Sequence, residues 1–398
     1  MVTELQLKRR MRLQAYFLGV LAIISAVLGI VFVALGGLPD KRFLRTGEKV
    51  PGVAVPDDFE ITVFAMDLSA PRYMAVQPET NVLFVSDRGA GRVVALPDED
   101  GDHVADKKIT VLDGLAVPTG LAFHNGWLYL AEASQVSRVR LDEKYEVVEK
   151  QIIIDDLPAG RNQDEEISNM YALLIHDNEL YVTVEASCAG CDETDSRRAA
   201  VLVYALDGSN ERTFASGLYY PTALAVNPVN QQIWVAVQGR PGFSQDVPES
   251  LYAVQNGDFA GWPACHAGIL ADPNFAGGCE SVLQPLVTLD PQGNISGLAF
   301  YANPDAPEKY QGDVFVTLHG GVNKAGKQVG LGLLRLDVDP ATGELVSDDF
   351  EYFGEGWWLS EEPGDLRGRP WGVIMSGDGN LYVSDDDAGA IYQIRLKN

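Results

Sequence analysis

One hairpin recurs along the whole chain. "LFVSDRGAGRVVAL" begins at Leu83 and "LYVSDDDAGAIYQI" at Leu381; in both, a short apolar strand ends in Ser-Asp, turns through an Ala-Gly pair and resumes as a second strand. Between them lie "LYLAEASQVSRVRL" from Leu128, "LYVTVEASC" from Leu180, "IWVAVQGR" from Ile233 and "VFVTLHGG" from Val314. A short apolar strand precedes most copies ("YMAVQP", "GLAFHN", "YALLIH", "ALAVNP", "GLAFYANP", "GVIMSGDG"), and some are followed by another, such as "ITVLDGL" or "RTFASGL". The copies are about 45 to 80 residues apart. Units of three or four short strands at such a period bury their faces by stacking on one another, which predicts an all-β, six-bladed propeller.

The ends of the array complement each other. The last unit stops at "IYQIRLKN", one strand short, while "FEITVFAMDL" from Phe59 has no blade of its own. The early strand is expected to complete the last blade and remove the edges of an open array. The propeller is thus read as residues 57–398, with 39–56, including "RTGEKVPGVAVPDD", as a linker.

Ahead of the linker, a basic segment (1–14, with Lys8, Arg9, Arg10 and Arg12) precedes an uncharged apolar run over 15–38. That run is long enough to cross a hydrocarbon layer of about 30 Å. The flanking charge predicts a single-pass signal anchor with a cytoplasmic N-terminus and the propeller on the extracytoplasmic side, periplasmic or extracellular. A cleavable signal ending near Gly36 or Gly37 is the alternative, and it exports the same residues. In an oxidising compartment the two sequence-local pairs, Cys188 with Cys191 and Cys265 with Cys279, read as disulfides in preference to a zinc site.

A net charge of −26 leaves no basic footprint for nucleic acid outside the N-terminus. The propeller shows no phosphate loop, dinucleotide fingerprint or nucleophile elbow, which directs attention to loops at one end of the central channel. Arg72, Glu132, His319, Arg367 and Arg369 stand at strand ends from which they can converge there. Tyr219, Tyr220, Trp357, Trp358 and Trp371 offer aromatic faces for a planar cofactor or a sugar, or packing between blades. In "PDEDGDHVAD", Asp98, Asp100, Asp102 and Asp106 alternate around Gly101 as calcium ligands do. The loop is not an EF-hand, because His103 and Ile109 occupy the places of its glycine and its closing glutamate.

The blocks "RRAAVLVYALDGSNERTFASGLYYPTALAVNP", "ESLYAVQNGDFAGWPAC", "YQGDVFVTLHGG" and "GRPWGVIMSGDGNLYVSDDDAGAIYQI" resemble, in this order, the soluble-type sugar dehydrogenases that depend on pyrroloquinoline quinone (PQQ), and most of all their L-sorbosone dehydrogenase branch. The resemblance implies a six-bladed propeller, calcium, PQQ, and oxidation of an aldose at its anomeric carbon. It also implies cofactor contacts for Arg72, Lys327 and Arg369, with Lys324 nearby. Two positions depart from the family. Its general-base histidine falls where this chain has Ser168 or Asn169, and its Arg-Asn pair falls on Tyr219-Tyr220. A quinoprotein would then need another base, Glu166 or His319. The competing readings are a sugar-binding or interaction propeller without the chemistry, and a calcium-dependent lactonase using Glu132. The sequence does not identify an electron acceptor.

Overall fold

The computed structural model describes residues 44–158, 170–360 and 362–397. Among these no helix is long and apolar enough to cross a membrane, and the basic segment and the apolar run over 15–38 lie outside them.

Six sheets, each with four antiparallel strands, form the blades of a propeller, and in blade 3 the short strand Asp258–Phe259 adds in parallel to the outer edge as a fifth. The innermost strands, in order from blade 1, are Pro71–Val76, Pro118–His124, Leu173–His176, Pro221–Val226, Ile295–Phe300 and Pro370–Met375. Blade 6 takes its outermost strand from the other end of the chain: Phe59–Ala65 pairs with Ala390–Leu396, matching Phe59 to Leu396 and Ile61 to Ile394. The two similar hairpins quoted first therefore belong to neighbouring blades, 1 and 6.

The second strand of each blade is buried almost throughout because it has a neighbouring blade on both faces. In Leu83–Asp87 every residue is buried. The period of two then divides its side chains: Leu83 and Val85 pack toward blade 6 with Phe64 and Tyr382, while Phe84 packs toward blade 2 with Leu121 and Leu128. Blades 5 and 6 meet through edge-to-face rings, with Phe59 at 5.0 Å from Tyr310 and 4.9 Å from Phe353. The outer strand of blade 2 leaves this pattern, with Val148 and Ile152 turned to solvent.

Polar bonds join the innermost strands near the end at which they begin. Ser86 donates to the Thr119 carbonyl, Gly120 N–H to Tyr171 O and Ala186 N–H to Tyr219 O. Thr222 donates to Ile295 O, Ser296 to Trp371 O and Ser384 to Arg72 O. The sequence of bonds runs blade to blade around the whole ring. Gly120 is required in it, since a Cβ there would lie 2.4 Å from Tyr171 O. Beneath this ring the innermost strands enclose a largely apolar cavity of about 460 Å³. Tyr73 of blade 1 reaches across to blade 4, donating to Thr222 O at 3.0 Å, and separates that cavity from the mouth above.

Candidate active site

The mouth is built where innermost strands begin and second strands end, because antiparallel pairing brings those two points together: Pro71 lies opposite Asp87, and Pro370 opposite Asp385. The first residue beyond each second strand therefore turns over the channel.

Arg72, His319 and Asp386 meet there. Arg72 donates from Nε to Asp386 Oδ2 at 2.9 Å and pairs with the same oxygen through Nη2. The other carboxylate oxygen of Asp386 lies 2.8 Å from His319 Nε2. Arg72 also stacks 3.7 Å over the ring of Trp371 and approaches the Met170 sulfur, and His319 meets Trp371 edge to face at 4.6 Å. Arg369 donates to the carbonyls of His319 and Gly320, which fixes the backbone that carries the imidazole.

Burial sets the protonation of this group. It pushes the His319 pKa down; the bond to Asp386 opposes this, and Arg369 and Arg72 add to the lowering. Burial works against the Asp386 carboxylate, yet His319 and Arg72 hold its pKa below the ordinary range. The pair is thus a neutral imidazole beside an ionised carboxylate. With Nε2–H given to Asp386, the lone pair of His319 is on Nδ1, the arrangement of an oriented base. Arg369 and Arg88 have lowered pKa values, chiefly through burial.

One wall is aromatic. Tyr219, Tyr220, Trp262 and Trp371 pack in one cluster with Met170, Ala186 and the partly buried Cys188, and Tyr219 lies 6.0 Å from Tyr220 and 6.1 Å from Trp262. The indole N–H groups of Trp262 and Trp371 are buried without a hydrogen-bond partner among the described residues. Beyond this wall Arg240 pairs with the buried Asp272 and contacts His266, whose pKa burial lowers to about 4. Arg240 also lies against Gly190, where a Cβ would come within 2.4 Å of the guanidinium. It thereby links the loops closed by the Cys188–Cys191 and Cys265–Cys279 disulfides, whose Cα atoms are 6.1 and 5.3 Å apart. Both cysteine pairs are bridged, not zinc ligands.

Of the residues singled out in the sequence, Arg72, His319 and Arg369 converge, and Tyr219, Tyr220 and Trp371 stand beside them. Lys327 is exposed on the hairpin after His319, while Lys324 pairs with Asp246 on the neighbouring blade at 3.0 Å. Glu132 accepts from Ala116 N–H and the Gln135 amide, so its carboxylate locks a hairpin. Trp357 is buried among the rings between blades 5 and 6. Glu166, Ser168 and Asn169 lie outside the described residues. Carboxylate oxygens of Asp98, Asp100 and Asp106 come within 4.8 Å of one another; Asp102 is not in that group and accepts from Val104 N–H. This loop follows Leu96, which pairs with Leu83, and so lies at the end of blade 1 away from the mouth. Sequence reasoning missed Asp386 and Arg88, although the two repeated hairpins align them with each other as "SDRGAG" and "SDDDAG".

Residues 69–208 match a family model described as a domain of unknown function, DUF7133. No curated protein matches the chain. Among solved structures, it is similar to a calcium structure of a Trichoderma reesei carbohydrate-active enzyme of family AA12, with 18% identity and a TM-score of 0.73 over 89% of this chain and 100% of that one. It is similar to the holo form of the pyranose dehydrogenase PQQ domain from Coprinopsis cinerea, with 16% identity and a TM-score of 0.71 over 89% and 98%. A PQQ-bound aldose sugar dehydrogenase from Streptomyces coelicolor matches with 17% identity and a TM-score of 0.58 over 86% and 100%. The resemblance carried by the sequence blocks is thus accompanied by a shared fold with sugar dehydrogenases of the PQQ type.

Proposed function

We propose that this chain is an extracytoplasmic sugar oxidoreductase that uses PQQ and works at the channel mouth, with His319 as the proton acceptor. The observation that carries this reading is the buried His319–Asp386 pair held by Arg72 against Trp371. The donor set fits a planar polycarboxylate: Arg72, Arg88 and Arg369 gather in a chain of net charge −26, and the indole N–H groups of Trp262 and Trp371 are buried and unpartnered among the described residues. Arg72 and Arg369 would hold the cofactor's anionic edge and Trp371, Tyr219 and Tyr220 its faces, with Lys327 at the rim. A PQQ held there would supply the two-electron acceptor for the hydride of the anomeric carbon. His319 takes the proton of the anomeric hydroxyl on Nδ1, Asp386 fixes the ring and stabilises the imidazolium, and Tyr73 closes the floor.

Calcium is assigned to Asp98, Asp100 and Asp106, where it would brace a blade far from the chemistry. The apolar run over 15–38 behind a basic segment supports a single-pass membrane anchor; retention in membranes after alkaline washing is expected. A second reading, a sugar-binding propeller without turnover, is favoured by Tyr219 and Tyr220, which pack into the wall where the family has its Arg-Asn pair.

A titration of the detergent-solubilised full chain with PQQ and calcium, followed by dye reduction with a panel of aldoses, separates the two. Saturable binding and sugar-dependent reduction, lost in H319Q, are expected. Sugar binding without reduction would establish the second reading.

A further inference from the structure

The corner that carries His319 is held at every polar atom of its backbone. His319 N–H donates to Asn294 O at 3.1 Å and Gly320 N–H to Gly293 O at 2.8 Å. Arg369 donates to His319 O at 3.0 Å. Gly320 O accepts from Arg369 and, at 2.9 Å, from the side-chain amide of Asn294. We propose that Asn294 is a positioning residue for His319, its amide holding the corner so that Nδ1 of the imidazole stays aimed at the sugar; this rests on the sugar-oxidoreductase reading.

The backbone part of this hold is common to the propeller. At other corners too, the N–H of the first residue past the second strand donates to a carbonyl just ahead of the innermost strand: Arg88 to Ala70, Ala133 to Ala116, Gln238 to Tyr220 and Asp386 to Arg369. None of these bonds needs an asparagine. Nor does the backbone conformation, since Asn294 has a φ of 51° and the matching positions of blades 1 and 2 reach 55° with Ala70 and Val117. What the residue type adds is the side-chain bond to Gly320 O, at the blade whose corner bears the proposed base. The segment carrying Asn294 is itself pinned, because the buried Glu249 carboxylate accepts from Ile295 N–H at 3.1 Å. Arg369 shares its guanidinium with the cofactor's anionic edge in the proposed site, whereas the Asn294 amide is a donor for Gly320 O alone. It is also neutral, so it adds nothing to the charges of Arg369 and Arg72 that lower the His319 pKa. At its far end the ring is tied through Nε2 to Asp386 at 2.8 Å. With that bond as a pivot, a shift of the corner swings Nδ1 out of line with the hydroxyl proton.

The test compares wild type with two variants of the full chain. N294G keeps the left-handed backbone and loses the amide, while N294D keeps the size and turns the donor into an acceptor facing Gly320 O. With PQQ and calcium added, kcat and KM for D-glucose and D-galactose are read from dye reduction, and folding from the urea midpoint. The hold on the ring is read by NMR as the exchange rate of the His319 Nε2 proton in isotope-labelled protein, assigned with H319Q. A fall in kcat of roughly tenfold in N294D and about threefold in N294G is expected, with KM within about twofold in both. The urea midpoint of N294G should stay near that of wild type, and the Nε2 proton should exchange faster in both variants, most of all in N294D. Loss of packing alone would give the opposite order, sparing the isosteric N294D and penalising N294G. The proposal is overturned if N294D keeps wild-type kcat, if it is more active than N294G, if KM rises as far as kcat falls, or if proton exchange is the same in all three proteins. Should the wild-type chain reduce no dye with either sugar, the oxidoreductase reading fails by itself and proton exchange decides: faster exchange in N294D leaves Asn294 as the residue that fixes the imidazole, and unchanged exchange removes it from that role.

Discussion

His319 is the residue whose proton the rest of the mouth controls. Because burial pushes its pKa below the ordinary value of 6.5, the folded protein binds this proton less readily than the unfolded chain. The contribution to stability is therefore complete above about pH 6.5 and is lost as the pH falls below it. Turnover should follow the same group, with an acid limb below the ordinary imidazole range. In D386N the imidazole keeps a hydrogen-bond acceptor but loses the charge that favours its protonated form. A fall in kcat of roughly 10²-fold and a shift of the acid limb to still lower pH are expected, measured as kcat against pH. An unchanged limb would remove His319 from the role of base. Asp386 itself is hard to find in the sequence, because it is the middle of three consecutive aspartates. Asp385 turns inward, accepting from Arg369 N–H and Ala388 N–H at 2.7 and 2.8 Å and from the Tyr392 hydroxyl at 3.1 Å, and burial raises its pKa to about 6. Only the fold tells the structural acid from the one facing the channel. Arg72 and Arg369 were legible since each precedes or opens an innermost strand.

At the scale of elements, the first three strands of each blade were legible because they lie between neighbouring blades and carry short, mostly apolar runs bounded by turns. The outer strands were less so. That of blade 4 is only Val287–Leu289 and follows the excursion closed by Cys265–Cys279, and three residues carry no period. The seam between blades 4 and 5 holds a group that pattern reading passes over. Glu249 begins the third strand of blade 4, is buried, and accepts from Gly239 N–H at 3.3 Å and Ile295 N–H at 3.1 Å. Burial raises its pKa from 4.5 to about 7. Since the folded state then binds the proton more tightly, stability should rise as the pH falls from about 7 toward 4.5, by about 3 kcal/mol for a shift of this size. In E249Q the amide oxygen can accept the same two bonds without charge. Urea unfolding at pH 8 should find the variant at least as stable as wild type, and between pH 8 and 5 its stability should lack this rise. The closing strand makes a different demand. Phe59 packs between Tyr310 and Phe353, and F59A should cost about 3–5 kcal/mol, read from the urea midpoint.

At the scale of the whole molecule, the proposed reading gives the two ends of the propeller separate tasks. The mouth gathers arginines, His319 and the aromatic wall, whereas the loop with Asp98, Asp100 and Asp106 lies at the far end of blade 1, beyond the Leu83–Leu96 pairing. Within that loop Asp98 already accepts from Gly101 N–H and His103 N–H, at 2.8 and 3.0 Å, so its backbone is shaped before any cation arrives. A cation there would relieve repulsion among the three carboxylates in a chain that is strongly acidic throughout. It would act on stability and not on the sugar. Calcium at about 100 times its Kd should then stabilise the wild-type chain by about 2.7 kcal/mol, and a D98N/D106N double variant should lose that gain. Magnesium should substitute poorly, because it demands a more regular and more hydrated shell. The decisive comparison is between the melting curve and turnover of PQQ-loaded protein. If the double variant melts lower in calcium but keeps wild-type kcat, the ion braces the fold at one end while the chemistry proceeds at the other. If instead the double variant keeps both the calcium-dependent stabilisation and wild-type kcat, calcium binds elsewhere than this loop.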